Sequence, residues 1–181
     1  QKTNYVSDPE FTTANVAGNT LPTGTFQPAG MGISRQLLEV GKLPDGRTYM
    51  NIRVFGTNIS GSVWYPDLHF TATGGVPATL GQAFSGQVSA KIIANVDSSG
   101  FVSPLRYVAL AEYNGGTYVA SVGIGIITTT LQDFSGTRVV QNATTNNGRL
   151  YIDFSVKAGG TVDLTFQVAA PQVEIGQPSP Y

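Results

Sequence analysis

The sequence predicts an all-β protein, an antiparallel β-sandwich of the jelly-roll type. Three observations carry this. Four segments alternate apolar and polar residues with period 2. Gly- and Asn-rich turn signals separate the apolar runs at short intervals. No segment carries the 3.6-residue period of a helix of ordinary length; the best candidate, Ser34–Val40, is short and is closed by Gly41.

The elements follow in chain order. Residues 1–32 show neither period, and Pro9, Pro22 and Pro28 fall among Gly, Asn and Thr. They are expected to form an irregular N-terminal arm, packed on the domain or leading into it. A single sandwich domain is expected over residues 33–181, a length suited to one core. Its first expected strand is Ile33–Leu43. In Thr48–Phe55, Met50, Ile52 and Val54 alternate with Tyr49, Asn51, Arg53 and Phe55. Leu68–Thr73 comes next, then Gly86–Val96 with the apolar set Val88, Ala90, Ile92, Ala94 and Val96. Leu105–Tyr113 and Thr117–Thr128 flank Asn114-Gly115-Gly116, the firmest hairpin signal, with Tyr113 opposite Tyr118. Ser135–Ala143 follows. Leu150, Ile152, Phe154 and Val156 then alternate with Arg149, Tyr151, Asp153 and Ser155, and Val162, Leu164, Phe166 and Val168 close the series. Such alternation leaves one face of each sheet packed and the other wet.

Composition narrows the chemistry. The 181 residues include no cysteine and one histidine, so disulfides, Cys-ligated zinc, Fe–S clusters and thiol catalysis are excluded. Charged residues are 12% and the net charge is −1, which gives no broad attraction to nucleic acid or anionic membranes. No run of about 18 apolar residues is present. The chain opens at Gln1, and it is read as a fragment or processed product of something longer.

Catalytic motifs are sparse. A Ser–His–Asp arrangement has only His69 to work with, and no Gly-x-Ser-x-Gly elbow precedes a helix. Gly123-x-Gly125 sits in an apolar strand with no helix after it, so it is no phosphate cradle. A glycosidase needs two carboxylates at a suitable separation, and eleven acids are present without a recognisable motif. The expectation is therefore a protein that is not an enzyme. Asp8 and Glu10 in the arm, with Glu174 near the C-terminus, would supply oxygen ligands for a structural calcium if the two ends meet; otherwise they are solvated acids. No other cofactor is expected.

Aromatic residues are the more suggestive feature. Sugar rings present apolar faces and hydroxyls, so their sites combine flat aromatics with Asp, Asn, Arg or His. Trp64, Tyr65, Asp67 and His69 fall within six residues, and Pro66 interrupts any ladder there. The segment reads either as a stacking platform with Asp67 and His69 as polar partners, or as a core anchor at Trp64 with His69 as a hydrogen-bonded surface residue. Arg53 and Tyr151, on the outward sides of their strands, complete the candidate set. Asn58-Ile59-Ser60 and Asn142-Ala143-Thr144 match the N-glycosylation triplet, which a Thr/Asn-rich chain produces by chance.

Both ends resemble a known family. Asn4-Tyr5-Val6-Ser7-Asp8-Pro9-Glu10-Phe11 resembles the opening of carbohydrate-binding-module-like jelly rolls. The C-terminal Gln172, Glu174, Gly176, Ser179 and Tyr181 are similar to the closing Gln-x-Glu-x-Gly and Ser-x-Tyr pattern of such modules in bacteriophage tail fibres and tailspikes. The Trp that usually follows the opening Phe is missing. The resemblance covers about 20 residues. It implies first and last segments lying side by side, Glu174 tied to the arm, and Gly176 ending the last strand. It further implies a non-catalytic glycan-binding domain for host-receptor adhesion, a host cell-surface polysaccharide as partner, a homotrimer within the fibre, and an extracellular place on the virion. The alternatives are a trimerisation or capping module of a viral fibre, with Tyr49, Phe55 and Ile93 in subunit contacts, and a glycan-cleaving enzyme domain.

Overall fold

The computed structural model describes residues 3–25, 27–71, 74–103 and 106–179. Among them lie ten strands and no helix: β1 (Ile33–Lys42), β2 (Thr48–Thr57), β3 (Leu68–His69), β4 (Val76–Pro77), β5 (Ala83–Asp97), β6 (Arg106–Asn114), β7 (Thr117–Ile127), β8 (Gln132–Val139), β9 (Asn147–Ile152) and β10 (Thr161–Ile175). They form two antiparallel sheets. The first has the order β1-β2-β10-β5-β8; the second has the order β3-β9-β6-β7, with β4 also paired to β9. The protein is an all-β antiparallel sandwich, as the alternation requires.

The core lies between the sheets. Met50, Ile52 and Val54 of β2, Val88 and Ala90 of β5, and Leu164, Phe166 and Val168 of β10 line one inner face. Val108 and Leu110 of β6 and Leu150 and Ile152 of β9 line the other, continued by Phe154 and Val156 beyond β9. Each side chain is at most 1% exposed. Burial at about 25 cal/mol per Å² of apolar surface is the main favourable term holding two such layers together. Gly148 and Gly86 let the layers approach closely: a Cβ at Gly148 would sit 2.7 Å from the Phe84 ring, and one at Gly86 would sit 2.8 Å from Leu110.

Several expectations are corrected. The short helix candidate Ser34–Val40 lies within β1, paired along its length with β2. A bulge there lets Leu37 face the core at 1% exposure while Leu38 turns outward at 39%. The alternation read through Val96 lapses in β5. The register against β10 steps past Ile93 and Val96, and each extra residue inverts which face the next side chain takes. Val96 consequently lies exposed. In Leu68–Thr73 only Leu68 and His69 form a strand, while Ala72 and Thr73 lie outside the described residues, as does Leu105. The strand expected from Ser135 begins at Gln132.

The arm is packed rather than free. Val6, Phe11 and Leu21 join the core cluster. The two ends lie side by side: the Tyr5 N–H donates to the Val173 carbonyl at 2.8 Å, and the Val173 N–H donates to Asn4 Oδ1 at 3.0 Å. Gly176, at φ 83°, follows the last residue of β10. Tyr181 lies outside the described residues.

Candidate functional site

A groove of about 600 Å³ crosses the outer face of the second sheet. Strand parity builds it. Successive side chains point to opposite faces, so residues two apart share one. Trp64 turns toward the core, where it packs against the main cluster. Tyr65, Asp67 and His69, at alternate positions, all line the groove. The same parity brings Arg149, Tyr151, Asp153 and Ser155 to it from β9 and the segment that follows, while Leu150, Ile152, Phe154 and Val156 fill the core. The β6–β7 hairpin supplies Tyr113, Gly116, Tyr118 and Ser121. Tyr113 pairs with Tyr118, and a register step between Glu112 and Tyr113 lets Tyr118 and Ser121 serve the same face despite their odd separation.

The segment before β3 is fixed from two sides. Asn58 Nδ2 donates to the carbonyls of Ser62 (2.7 Å), Val156 (3.0 Å) and Lys157 (3.0 Å), and Gln27 Nε2 donates to the Pro66 carbonyl at 2.8 Å.

The floor is aromatic and tightly stacked. Ala109, Ala111, Tyr113 and Tyr151 form a buried cluster separate from the main core. His69 stacks on Tyr151 with centroids 5.4 Å apart and meets Tyr113 edge-on at 6.1 Å. Tyr118 meets Tyr113 edge-on at 5.9 Å. The Arg149 guanidinium lies over the Tyr113 ring at 4.0 Å and donates to the Gly115 carbonyl at 2.8 Å. Two tyrosines lie exposed at this floor: Tyr65 is 57% exposed and Tyr118 is 54% exposed.

Burial sets the protonation states. It pushes the His69 imidazole down to about 3, with the positive field of Arg149 adding to the effect, so the ring is neutral at physiological pH. It pushes the Asp67 carboxyl up to about 7. The Phe154 N–H, donating to Asp67 Oδ1 at 2.8 Å, acts the other way, as does Arg106, while Asp153 adds to the rise. Burial also raises the Tyr113 hydroxyl to about 12 and raises that of Tyr151. The groove thus offers ring faces, the Arg149 guanidinium, a neutral imidazole and a carboxyl poised near neutrality.

Of the residues singled out for sugar binding, Tyr65, Asp67, His69 and Tyr151 share the groove. Trp64 and Arg53 do not line it. Trp64 packs on the core cluster with its indole nitrogen buried, as the second reading of that segment has it, but His69, a surface residue in that reading, is buried at 6% exposure. Arg53 belongs to β2 of the other sheet, where Nε and Nη2 donate to the Asp163 carboxylate at 2.8 and 2.7 Å. Tyr113, Tyr118, Arg149 and Asp153 escaped the sequence-based set, although the hairpin signal and the alternation around Leu150 already placed them in register.

The three acids considered as calcium ligands do not gather. Asp8 accepts the N–H and O–H groups of Thr12 and Thr13. Glu10 bonds Thr48 and Lys42. Glu174 bonds Gln172 and the Ser179 N–H, so it is tied to the C-terminal tail instead of the arm. Among the described residues no group of three His, Asp or Glu is placed to hold a metal ion. Among the outward residues of the capping alternative, the Tyr49 hydroxyl donates to Glu39 at 2.8 Å, and Phe55 lies under the Arg53 guanidinium. Ile93 is 46% exposed.

No family model matches the chain, and no curated protein does. Solved structures do. An arabinose-bound MgGH51 α-L-arabinofuranosidase superposes with a TM-score of 0.60 at 11% identity, over 96% of this chain and 26% of that one. The CBM22-1–CBM22-2 tandem domain of Paenibacillus barcinonensis Xyn10C gives 0.50 at 11% identity, over 99% of this chain and 48% of that one. The tailspike protein 4 of bacteriophage CBA120 gives 0.46 at 12% identity over 96% of this chain and 21% of that one, too low to bear on origin. The chain spans about a quarter of the arabinofuranosidase and about half of the tandem domain. At these identities the likeness establishes the fold, a β-sandwich of the kind found in carbohydrate-binding modules.

Proposed function

We propose that this domain is a non-catalytic glycan-binding module and that the groove across β3, β9, β6 and β7 is its site. One observation carries the reading: two exposed tyrosines, Tyr65 and Tyr118, stand beside a floor of aromatic rings and polar groups, Arg149 among them, in a groove large enough for sugar rings. Exposed tyrosines stack on the apolar faces of sugars, and Asp153, Ser155 and Ser121 meet hydroxyls. The solved structures that share the fold include an arabinofuranosidase with bound arabinose and a tandem of CBM22 modules, which supports a carbohydrate as ligand.

The fuller reading places the domain on a phage tail fibre or tailspike, outside the cell, as a homotrimer adhering to host-surface polysaccharide. The resemblance at Gln172, Glu174, Gly176 and Ser179 supports it, together with the pairing of the two chain ends through Asn4, Tyr5 and Val173. Three copies would raise avidity through effective concentration.

A second reading, glycan cleavage, is favoured by one observation: Asp67 and Asp153 line the same groove, and Asp67 is poised near neutrality. The test is calorimetric titration with neutral and acidic oligosaccharides of the wild type, Tyr65→Ala and Tyr118→Ala, with reducing ends assayed in parallel. Binding weakened in both variants without new reducing ends is expected. New reducing ends would establish the enzyme instead, and no binding to any sugar would overturn both readings.

A further inference from the structure

Asp67 occupies an unusual place in the groove. Its residue is 8% exposed, and its Oδ1 is held by the Phe154 N–H at 2.8 Å. That peptide N–H is the one hydrogen-bond partner of the carboxyl among the described residues, so Oδ2 is left for whatever enters. The groups facing the carboxyl are known from each element around it. His69 of β3 is neutral, Arg106 and Tyr113 come from β6, Tyr151 and Arg149 from β9, and Asp153 follows β9. Arg106, the cation acting on Asp67, lies over the Phe101 ring at 3.7 Å and donates to the Ser103 carbonyl. No ion pair to Asp67 forms among the described residues.

We propose that Asp67 binds ligand as a neutral carboxylic acid, donating from Oδ2, so that the groove takes up a proton when a neutral glycan enters. The inference rests on the glycan-binding reading and deepens it. Covering the groove removes the remaining water from Asp67. Desolvation penalises the charged form, and no salt-bridged cation offsets it. A neutral sugar therefore favours the protonated state.

The test is calorimetry on the whole domain with a panel of neutral xylo-, cello-, arabino- and manno-oligosaccharides, from pH 5 to pH 9. Each titration is repeated in buffers of different ionisation enthalpy to count protons. The expected result is affinity about tenfold weaker at pH 9 than at pH 5, the ratio that a displacement of one pH unit in the carboxyl's titration produces. Net proton uptake near pH 7 accompanies it. Asp67→Asn keeps a donor toward the ligand and an acceptor for Phe154, and is expected to bind with a flat pH profile and no proton uptake. A neutral glycan that binds the wild type with the same affinity at both pH values, with no protons exchanged, overturns this inference and leaves the glycan-binding reading standing. A panel in which nothing binds at either pH overturns both.

Discussion

His69 lies flat on Tyr151, ring centroids 5.4 Å apart and planes inclined by 20°, in the floor of the groove. The stack joins the short β3 to β9, where His69 is also the backbone partner of Tyr151. A cross-strand aromatic pair of this kind contributes about 0.2–1 kcal/mol beyond an alanine pair. Here it also fixes a neutral ring in the groove.

The stability of the domain carries two opposed pH dependences. His69 titrates near 3 when folded against 6.5 in a free chain, so the unfolded state binds more protons between these values. Its contribution is lost as pH falls through that window. Asp67 titrates near 7 when folded against 3.8 in a free chain, so its contribution is full below 3.8 and is lost as pH rises toward 7. The variants separate them. Thermal melts of Asp67→Asn are expected to rise from pH 4 to pH 6.5, relative to wild type, and those of His69→Phe to fall. Parallel curves for the two variants would refute the assignment.

Tyr65 and Trp64 are neighbours with different roles. Tyr65→Ala is expected to weaken glycan binding at least about fivefold, roughly 1 kcal/mol, while shifting the melting temperature little. Trp64→Ala is expected to cost about 3–5 kcal/mol of stability at most, less to the extent that the ring is exposed, and to alter affinity only through the fold. Chemical denaturation and titration of both variants measure this.

Glu112 is buried at 0% exposure and accepts bonds from Arg138 Nε (2.8 Å), Thr145 Oγ1 (2.8 Å) and the N–H groups of Gln141 and Asn142 (3.2 Å each). Burial opposes its charge, and these donors outweigh it, holding the carboxyl below the usual glutamate range. Glu112→Ala is expected to cost about 3–5 kcal/mol, because it leaves Arg138 and two backbone donors without their acceptor. Denaturant unfolding at pH 7 checks the figure. The Glu112 contribution is present above the unfolded pKa and fades in acid as pH falls through the depressed folded value.

Gly148→Ala is expected to destabilise by about 1–3 kcal/mol, since its methyl would enter the space of the Phe84 ring. Gly46→Ala, whose Cβ meets nothing within 4 Å, separates packing from backbone strain: its cost, at φ 89°, is purely conformational. Paired melts of the two variants measure the difference.

Much of this was legible in the residues. The alternation through Leu150–Val156 specified which side chains enter the core and which line the groove, and Asn114-Gly115-Gly116 set Tyr113 against Tyr118. What could not be read was which outward face is concave. Arg53 and Tyr151 are both outward residues on alternating strands, and only the tertiary arrangement puts one beside Asp163 and the other in a groove. Bulges were equally hidden: at Leu38, Ile93 and Val96 an extra residue inverts the faces without any signature in local composition. Asn58 shows the same limit. Its triplet, read as a chance match, gives no sign that its amide is buried and donates to three backbone carbonyls.

The most direct test follows the backbone and aromatic NMR resonances of the intact domain as a binding oligosaccharide is added. Saturable shifts are expected at Tyr65, Asp67, Tyr118, Tyr151 and Asp153, with Arg53 and Ile93 on the opposite sheet unmoved. Shifts centred on Arg53, Tyr49 and Phe55, with the groove residues silent, would contradict this placement of the site.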